Sequence, residues 1–483
     1  MSLKKLFLND TLVYGFSLYL NIFAALILTP IYTRTLSKED YGIMDLCNVW
    51  NNFFIIIIPL GLTASIIRLY QDNNSNELNS SDNKKQDFLG TLFSFLLISN
   101  CIYLVLNILF KEFIINFYFK TNLDETIYYL SIFIVNFSVI VSYFQYLNRV
   151  RFKKYTYLII NVSSFLILSI LGYILAIPYD YGIKGFFLAS FISLFTSLIL
   201  SLILVKDSIY FRLNLSLLKS SLKYALPLLF VIIFLKITFI IDRFIIYHFL
   251  DLETIGEYSI VLRISNIFQL IVSAFTTAWF PYAMNLIDNK NRNKIYKKTY
   301  FYFILLFTIV AFIIILFSKE LLLFFAPAYL NIETIIYITV PTILVGGANY
   351  FCNLGIHITK KTHYLIYSAI ISFFVNVISS VFLTNYFGIY GIALGSLIAV
   401  LTWVSIEYYF SYKVSKIKFN LSYMYISIIL LILSGFLISL LNNSINESQS
   451  IFYIKCIFIS IIFVIFLFNK KVRLVIKSFK LFQ

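Results

Sequence analysis

Long apolar stretches separated by short polar turns run along the whole chain of 483 residues. Each is about 20 residues long, the length that an α-helix needs to cross the hydrocarbon core of a bilayer. Their apolar positions are continuous rather than alternating, which excludes an outer-membrane β-barrel. The pattern therefore predicts an all-α, polytopic membrane protein.

We count fourteen predicted spans. They begin near Leu12, Gly42, Phe88, Thr126, Tyr155, Ile183, Leu222, Ile255, Tyr296, Ile332, His363, Ile389, Leu421 and Ile451. The eighth contains Pro281 and is longer than a bilayer requires, so we expect it to be tilted or broken there. The longest loop, Gln71 to Asp87, is too short and too polar to fold as a domain. Function must therefore reside among the helices.

Composition and charge exclude several classes of protein. The chain is 60% hydrophobic and only 12% charged, with mean hydropathy +0.89, which rules out a soluble enzyme and a disordered chain. Its net charge of +16 does not point to nucleic acid, because the basic residues follow the span count. Loops on the N-terminal side carry 28 Lys and Arg, and loops on the other side carry 6. By the positive-inside rule both termini are cytoplasmic.

Cysteines and catalytic motifs give little chemistry. The four cysteines (Cys47, Cys101, Cys352 and Cys456) are far apart in apolar runs, and we interpret them as small buried hydrophobic residues without disulfide or metal. We find no nucleophile–base set, no metal-ligand spacing and no glycine-rich phosphate loop. The sequence thus predicts no catalytic residue and no resident cofactor.

Two passages of the chain echo each other. Leu36–Gly42 (LSKEDYG) resembles Leu250–Gly256 (LDLETIG), at an offset of 214 in residue number. Tyr181–Gly185 (YGIKG) resembles Phe387–Gly391 (FGIYG), at an offset of 206. Together they predict a six-span unit used twice, with both copies entering the bilayer from the same side, as in parallel-repeat transporters. We expect lobes at 1–206 and 207–414, and two extra spans with a basic tail at 415–483.

Basic residues inside predicted spans are the main candidate chemistry. Lys236 and Arg243 lie two helical turns apart in span seven, Arg263 lies in span eight, and Lys455 begins span fourteen. An arginine or lysine at a helix centre costs about 2.5–3.5 kcal/mol on insertion scales, so it usually faces a wet cavity or a partner. A cationic cavity would suit an anionic substrate such as a diphosphate. We predict this cavity, with Arg34 and Arg68 near span ends as further contributors.

Structural alternatives exist for each of these charges. Arg34 and Arg68 would also be explained by snorkelling to the interface. Asp242, Asp45 or Glu257 would neutralise the bases in purely structural pairs. Intramembrane acids are few (Asp45, Asp242, Glu257 and Glu407), whereas an exporter of cationic drugs should invert that balance.

Several short motifs are spread along the chain: Pro30–Gly42, Gly61-Leu62, Arg68–Tyr70, Asp242-Arg243, Gly256–Tyr258 and Ala278–Pro281. In these motifs, and as far as about Val414, the chain resembles the polysaccharide-biosynthesis flippases, which belong to the multidrug/oligosaccharidyl-lipid/polysaccharide exporter superfamily. The resemblance implies a flippase that moves an undecaprenyl-diphosphate-linked oligosaccharide to the outer leaflet of the bacterial plasma membrane, for O-antigen or capsule. Arg34, Arg68, Asp242 and Arg243 fall within the matching motifs.

Other functions stay open. A peptidoglycan-precursor flippase would also have fourteen spans, and a drug or cation exporter would share the fold. A membrane-embedded glycan polymerase or ligase would change the glycan rather than its leaflet. Asp242 and Glu257 are the candidate carriers for coupling to a proton or sodium gradient. The expected partners are the lipid-linked oligosaccharide, the bilayer and glycan-assembly proteins.

Overall fold

The fold is helical throughout the part of the chain that the computed structural model describes. That part comprises residues 23–62, 81–119, 123–151, 153–206 and 209–444, with Ser17 and Leu20. These residues contain no β-strand, and the predicted all-α membrane fold is confirmed. Arg68, Cys456 and the span predicted to begin near Ile451 lie outside the described residues.

Thirteen long helices follow one another within this described part. They are α1 (23–35), α2 (Lys38–Ile57), α3 (Ser81–Leu109), α4 (Glu125–Val150), α5 (Lys154–Ala176), α6 (Gly182–Leu204), α7 (Leu215–Phe249), α8 (Leu252–Asn285), α9 (Arg292–Leu316), α10 (Glu333–Cys352), α11 (His363–Phe387), α12 (Ile389–Ser415) and α13 (Ser422–Ser444). Their order matches the first thirteen predicted spans.

Ten described helices are long and apolar enough to cross a membrane, and these ten lie within α3–α6 and α8–α13 or extend slightly beyond them. The protein is therefore a multi-pass membrane protein, while the total of fourteen spans stays a prediction. Helix α8 runs through Pro281 without interruption, so the expected break is absent there. Cys101 is exposed on α3 among the exposed side chains of Ile98 and Ile102, which corrects the expectation that it is buried.

The starts of α2 and α8 use the same local chemistry. Ser37 caps α2 by accepting a hydrogen bond from the backbone N–H of Asp40 at 3.0 Å. Asp251 accepts a hydrogen bond from the backbone N–H of Thr254 at 2.7 Å. Both are side-chain caps with a spacing of three residues, which satisfy donors that a helix start leaves unpaired. The caps recur at the same offset as the LSKEDYG and LDLETIG passages of the sequence.

A second recurrence concerns the turns before α6 and α12. Gly182 and Gly388 have φ angles of +53° and +54°, a backbone conformation that glycine adopts without the strain of a Cβ atom. Their separation along the chain equals the offset between YGIKG and FGIYG. The duplication inferred from sequence thus has counterparts in backbone geometry, although the lobe boundaries stay a prediction.

One compact unit consists of Met1–Ile260, Phe325–Ala328 and Thr362–Ala399. Its helices approach closely where side chains are small. Ser164 of α5 and Ser193 of α6 hydrogen-bond at 2.8 Å, and a Cβ on Gly395 of α12 would collide with Ser380 of α11. Small residues and hydroxyl groups are typical of helix interfaces in membranes.

The other compact unit consists of Val261–Phe324, Tyr329–Lys361 and Val400–Gln483. Its core is aromatic: Phe303 and Phe307 stack with centroids 4.4 Å apart, and Trp279 stacks on Phe351 at 4.6 Å. Gly347 lies against Phe303, where a side chain would not fit. Ring stacking therefore holds α8, α9 and α10 together, and the lack of a side chain at Gly347 lets α10 approach Phe303 of α9 closely.

Buried charges as the candidate functional site

Among the described residues of the first unit, the most deeply buried charge is Arg243, near the C-terminal end of α7. Its side chain is 4% exposed, and its Nε donates a hydrogen bond to Oδ2 of Asp45 in α2 at 2.8 Å. The ring of Tyr258 lies 5.4 Å from the guanidinium carbon, within the range of a cation–π interaction. This ion pair offsets part of the cost of removing both charges from water.

The pairing of Arg243 is incomplete. Its Nη1 is buried without a hydrogen-bond partner in the described part of the chain. Arg243 lines a narrow crevice with Leu46, Tyr118, Phe244 and Tyr247, and this crevice has no room for a water molecule. The arginine therefore retains hydrogen-bonding capacity that only a rearrangement of its surroundings can use.

Asp242 lies beside Arg243 in sequence but has a different environment. It is 4% exposed, and Ser396 of α12 donates a long hydrogen bond of 3.5 Å to its Oδ2. Asn376 of α11 lies near the same carboxyl group. Among the described residues, Oδ1 of Asp242 and both polar side-chain atoms of Asn376 have no hydrogen-bond partner. Helices α7, α11 and α12 thus bring together oxygen and nitrogen groups that are only partly satisfied.

A second ion pair joins α2 to α8. Nζ of Lys38 donates to Oε1 of Glu257 at 2.7 Å, and both side chains are partly exposed. Glu257 is one of the two acids expected to carry a coupling ion, and in this structure it forms an ion pair with Lys38. Among the structural pairs considered from the sequence, the structure contains Asp45 with Arg243, whereas Glu257 pairs with a lysine that was not among the bases considered.

The other predicted site residues are more scattered. Arg34 is exposed on α1, and its Nη1 donates to the carbonyl oxygen of Pro30 at 2.7 Å. Lys236 is half-buried on α7, with Nζ 5.5 Å from the ring centre of Phe239. Arg263 is half-buried in the second unit. Of the predicted site residues that the structure describes, Arg243 and its sequence neighbour Asp242 are therefore the two that are deeply buried.

The sequence indicated Asp45 only as a possible structural partner and gave no role to Lys38, yet each forms an ion pair with a predicted site residue. For Asp45 the signal was available, because a carboxylate inside an apolar span needs a partner. For Lys38 there was no such signal. It begins α2 beside Glu39 and Asp40, so the sequence gave no reason to expect a distant acidic partner.

The second unit has a buried carboxylate of its own. Glu407 in α12 is 1% exposed; Nε1 of Trp403 donates to Oε1 at 2.6 Å, and Nδ2 of Asn349 in α10 donates to Oε2 at 2.8 Å. Both oxygens are therefore hydrogen-bonded to neutral groups. This cluster ties α10 to α12.

Comparison with solved structures defines the class of the fold. A structure of the lipid II flippase MurJ in an inward closed conformation matches with a TM-score of 0.68 and 19% identity, over 95% of this chain and 97% of that one. An inward-facing multidrug resistance MATE family transporter of the MOP superfamily matches with a TM-score of 0.62 and 14% identity, over 81% and 94%. A Vibrio cholerae MATE transporter, VcmN, matches with a TM-score of 0.56 and 13% identity, over 84% and 95%. The fold is thus that of MurJ and the MATE transporters.

The sequence itself places the chain more narrowly. The profile of the family described as polysaccharide biosynthesis protein matches residues 7–287, which is more than half of the chain. The chain therefore belongs to the polysaccharide biosynthesis protein family. No individual curated protein matches it significantly.

Proposed function

We propose that this protein is a flippase that translocates an undecaprenyl-diphosphate-linked oligosaccharide from the cytoplasmic to the outer leaflet of a bacterial plasma membrane. The product would serve surface polysaccharide such as O-antigen or capsule. Membership in a polysaccharide biosynthesis family and the fold of MurJ and MATE transporters support this proposal. The observation that carries it is Arg243, a buried guanidinium with a hydrogen-bonding group still uncommitted.

The diphosphate is the part of the substrate that most needs protein groups. Transferring a bare anion through hydrocarbon is prohibitive, whereas charge-assisted hydrogen bonds from arginine and lysine stabilise it. In the proposed mechanism Arg243 exchanges Asp45 for a diphosphate oxygen and uses Nη1 for a second one. Arg34, Arg68, Lys236 and Arg263 are the further candidates for contacts with the substrate.

Transport would proceed by alternating access between the two lobes predicted at 1–206 and 207–414. The sugars would occupy a wet interior while the polyprenyl tail stays in lipid, and rocking of the lobes would expose the head group to the other side. Both termini would then be cytoplasmic, with glycan polymerase or assembly proteins acting on the product. Asp242 and Glu257 are the candidates for proton or sodium coupling. Of these, Asp242 has the environment with unsatisfied oxygen and amide groups.

Two alternatives share the fold. The similarity to MurJ favours a peptidoglycan-precursor flippase, and the similarity to MATE transporters favours a drug or cation exporter. The second alternative predicts that loss of Asp242 or Glu257 abolishes export while charge reversal of Lys236 and Arg243 leaves it intact. The flippase predicts that charge reversal of the basic residues abolishes transport.

Reconstitution in proteoliposomes tests the proposal. Purified protein is incorporated with a fluorescent undecaprenyl-diphosphate oligosaccharide, and an impermeant quencher or a glycan-modifying enzyme reports the leaflet occupied. We expect protein-dependent movement of unmodified lipid, competed by other polyprenyl diphosphates but not by cationic dyes. A change in the length or attachment of the glycan would instead indicate an enzyme. Export of cationic dyes without lipid movement would overturn the proposal.

A further inference from the structure

The two copies of the duplicated motif contact each other at the N-terminal ends of α2 and α8. A Cβ added to Gly42 would collide with the carbonyl oxygen of Leu252, and a Cβ added to Gly256 would collide with the carbonyl oxygen of Lys38. The contact is thus backbone against backbone, and glycine at both positions permits it. Close approach through small residues is a common way for helices to pack in membranes.

This contact is reciprocal. Lys38 and Leu252 occupy equivalent positions in the two copies of the sequence repeat, and so do Gly42 and Gly256. Gly42 contacts Leu252, and its equivalent Gly256 contacts Lys38, which is the equivalent of Leu252. The two segments are related by a local two-fold axis, and we call the contact of 38–42 with 252–256 the glycine contact.

Two ion pairs accompany this contact, one between α2 and α8 and one between α2 and α7. Lys38 and Glu257 pair with partial exposure to solvent at the start of α2. Asp45 follows Gly42 by about one helical turn on α2 and pairs with Arg243, which lies six residues before the C-terminal end of α7. The charges thus form an outer, partly exposed layer and an inner, buried layer.

We infer that the glycine contact and its two ion pairs form the outer gate of the protein. Residues 36–42 and 250–256 lie on the side opposite the N-terminus in the predicted topology, so the gate faces outward and is closed in this structure. The inference rests on the proposed function in treating the chain as an alternating-access carrier. It adds the residues that must separate before cargo leaves.

The chemistry of the contact suits repeated opening. A glycine–backbone contact buries little apolar surface, and the partly exposed Lys38–Glu257 pair is weakened where water competes for its charges. The inner pair is harder to break, since separating Asp45 from Arg243 leaves buried charges. An anionic substrate that takes over Arg243 would remove this obstacle.

Reversible bridging tests whether the contact opens during transport. Cysteines replace Lys38 and Glu257 in a chain whose four native cysteines are replaced by serine or alanine, and a short bifunctional methanethiosulfonate joins them. We expect bridging to lower lipid translocation at least tenfold and a reductant to restore it. The matched control joins Glu253→Cys and Glu257→Cys within α8, where bridging should leave the translocation rate of that same unbridged variant unchanged. Translocation at the same rate with the gate bridged would overturn the inference.

Wedging the gate open gives an independent readout that needs no substrate. Phe244→Cys, which lines the crevice at Arg243, reports access of an impermeant maleimide added outside the cell. Gly42→Leu should raise the labelling rate several-fold because its side chain collides with α8. Gly346→Leu in α10 is the control, since a Cβ there meets nothing within 4 Å. Equal labelling rates in the two folded variants would contradict an outward gate.

The two assays separate failure of the gate from failure of the proposed function. If unbridged protein moves no polyprenyl-diphosphate lipid but Gly42→Leu still opens the reporter to the outside, the substrate is wrong and the gate stands. If lipid moves while neither bridging nor wedging has an effect, the gate is wrong and the flippase stands. Reversing the outer pair as Lys38→Glu with Glu257→Lys should keep the reporter at position 244 closed to the maleimide, because the reversal preserves the attraction between the two side chains.

Discussion

The buried ion pair of the first unit and the buried carboxylate of the second unit solve the same problem differently. Asp45 is held by Arg243, whose Nη1 has no partner among the described residues. Glu407 receives a hydrogen bond at each oxygen, from Trp403 and Asn349. Each site stabilises a carboxylate away from water. Among the described residues, the first site retains an unused N–H donor on Arg243, whereas both oxygens of Glu407 already accept hydrogen bonds.

Under the proposed function, Arg243 belongs to a site that exchanges partners, whereas Glu407 belongs to one that fixes helices. An arginine has five N–H donors, so it stays paired when another anion replaces its carboxylate partner. A carboxylate with both oxygens occupied by a tryptophan and an asparagine gains nothing from an incoming anion. We therefore expect changes at Arg243 to affect transport and changes at Glu407 to affect mainly stability.

The largest effect is expected for Arg243→Met. It removes the proposed diphosphate contact and leaves Asp45 without its arginine, and breaking one side of a buried ion pair typically costs about 3–5 kcal/mol. We expect lipid translocation to fall by at least tenfold and the thermal unfolding temperature in detergent to fall clearly. The double variant Asp45→Asn with Arg243→Gln should recover most of the stability but not the transport. Wild-type transport by this neutral pair would assign Arg243 a purely structural role.

Asp242→Asn should act on coupling rather than on folding. The asparagine keeps the size and an acceptor for Ser396 but cannot change its charge. We expect translocation to lose its response to an imposed proton or sodium gradient while downhill movement continues. Glu257→Gln is the comparison, because its carboxylate is held by Lys38. An unchanged gradient response in the first variant and a lost response in the second would reverse the assignment.

A smaller effect, confined to stability, is expected for Glu407→Gln. A glutamine offers one acceptor oxygen where the carboxylate offers two, so Trp403 or Asn349 loses its acceptor. An unsatisfied buried group costs about 1–3 kcal/mol. Thermal unfolding should shift downward, while translocation per folded molecule stays at the wild-type rate. Loss of translocation by well-folded Glu407→Gln would show that the second carboxylate also takes part in transport.

The smallest effect is expected at the solvent-exposed ion pair of Lys184 with Asp124. Its effect on stability is the reference for that of the buried pair of Arg243 with Asp45. Lys184 donates to Asp124 at 2.7 Å with both side chains well exposed, and this hydrogen bond lowers the pKa of the Asp124 carboxyl. Lys184→Ala should cost less than about 1 kcal/mol because solvent screens such pairs. The carboxyl has a lower pKa folded than unfolded, so the stabilisation exists above the ordinary carboxyl pKa of ~3.9 and is lost as pH falls through the folded value.

Thermal unfolding of both proteins between neutral and acidic pH measures this. The difference between wild type and Lys184→Ala should be present at neutral pH and vanish in acid. Asp124→Asn should behave like Lys184→Ala, since asparagine still caps α4 through the backbone N–H of Thr126. A difference that grows on acidification would mean that another group dominates.

Helix positions could be predicted from the sequence because membrane spanning imposes length and apolarity on each segment. Even the cap at Ser37 is readable, since its acidic partner stands three residues on. The count of fourteen spans goes further than the described helices, because α1, α2 and α7 are not among the ten segments that meet the criteria of length and apolarity.

Partner choice could not be read from the sequence. Asp242 is adjacent to Arg243, yet the guanidinium pairs with Asp45, 198 residues away. Successive residues on a helix point in different directions, so neighbours in sequence seldom face each other. Which distant helix supplies the counter-charge depends on packing, and the same holds for Lys38 and Glu257, which are 219 residues apart.

The glycine contact also bears on how such a chain could arise. A patch that meets its own copy across a two-fold axis is the isologous interface of a symmetric dimer. Once the copies are fused into one polypeptide, their sequences can diverge. Lys38 and Glu257 show such divergence, because the equivalent positions in the other copy are Leu252 and Ile43. A dimer of identical subunits would carry that charge pair twice, whereas the single chain carries it on one side of the axis.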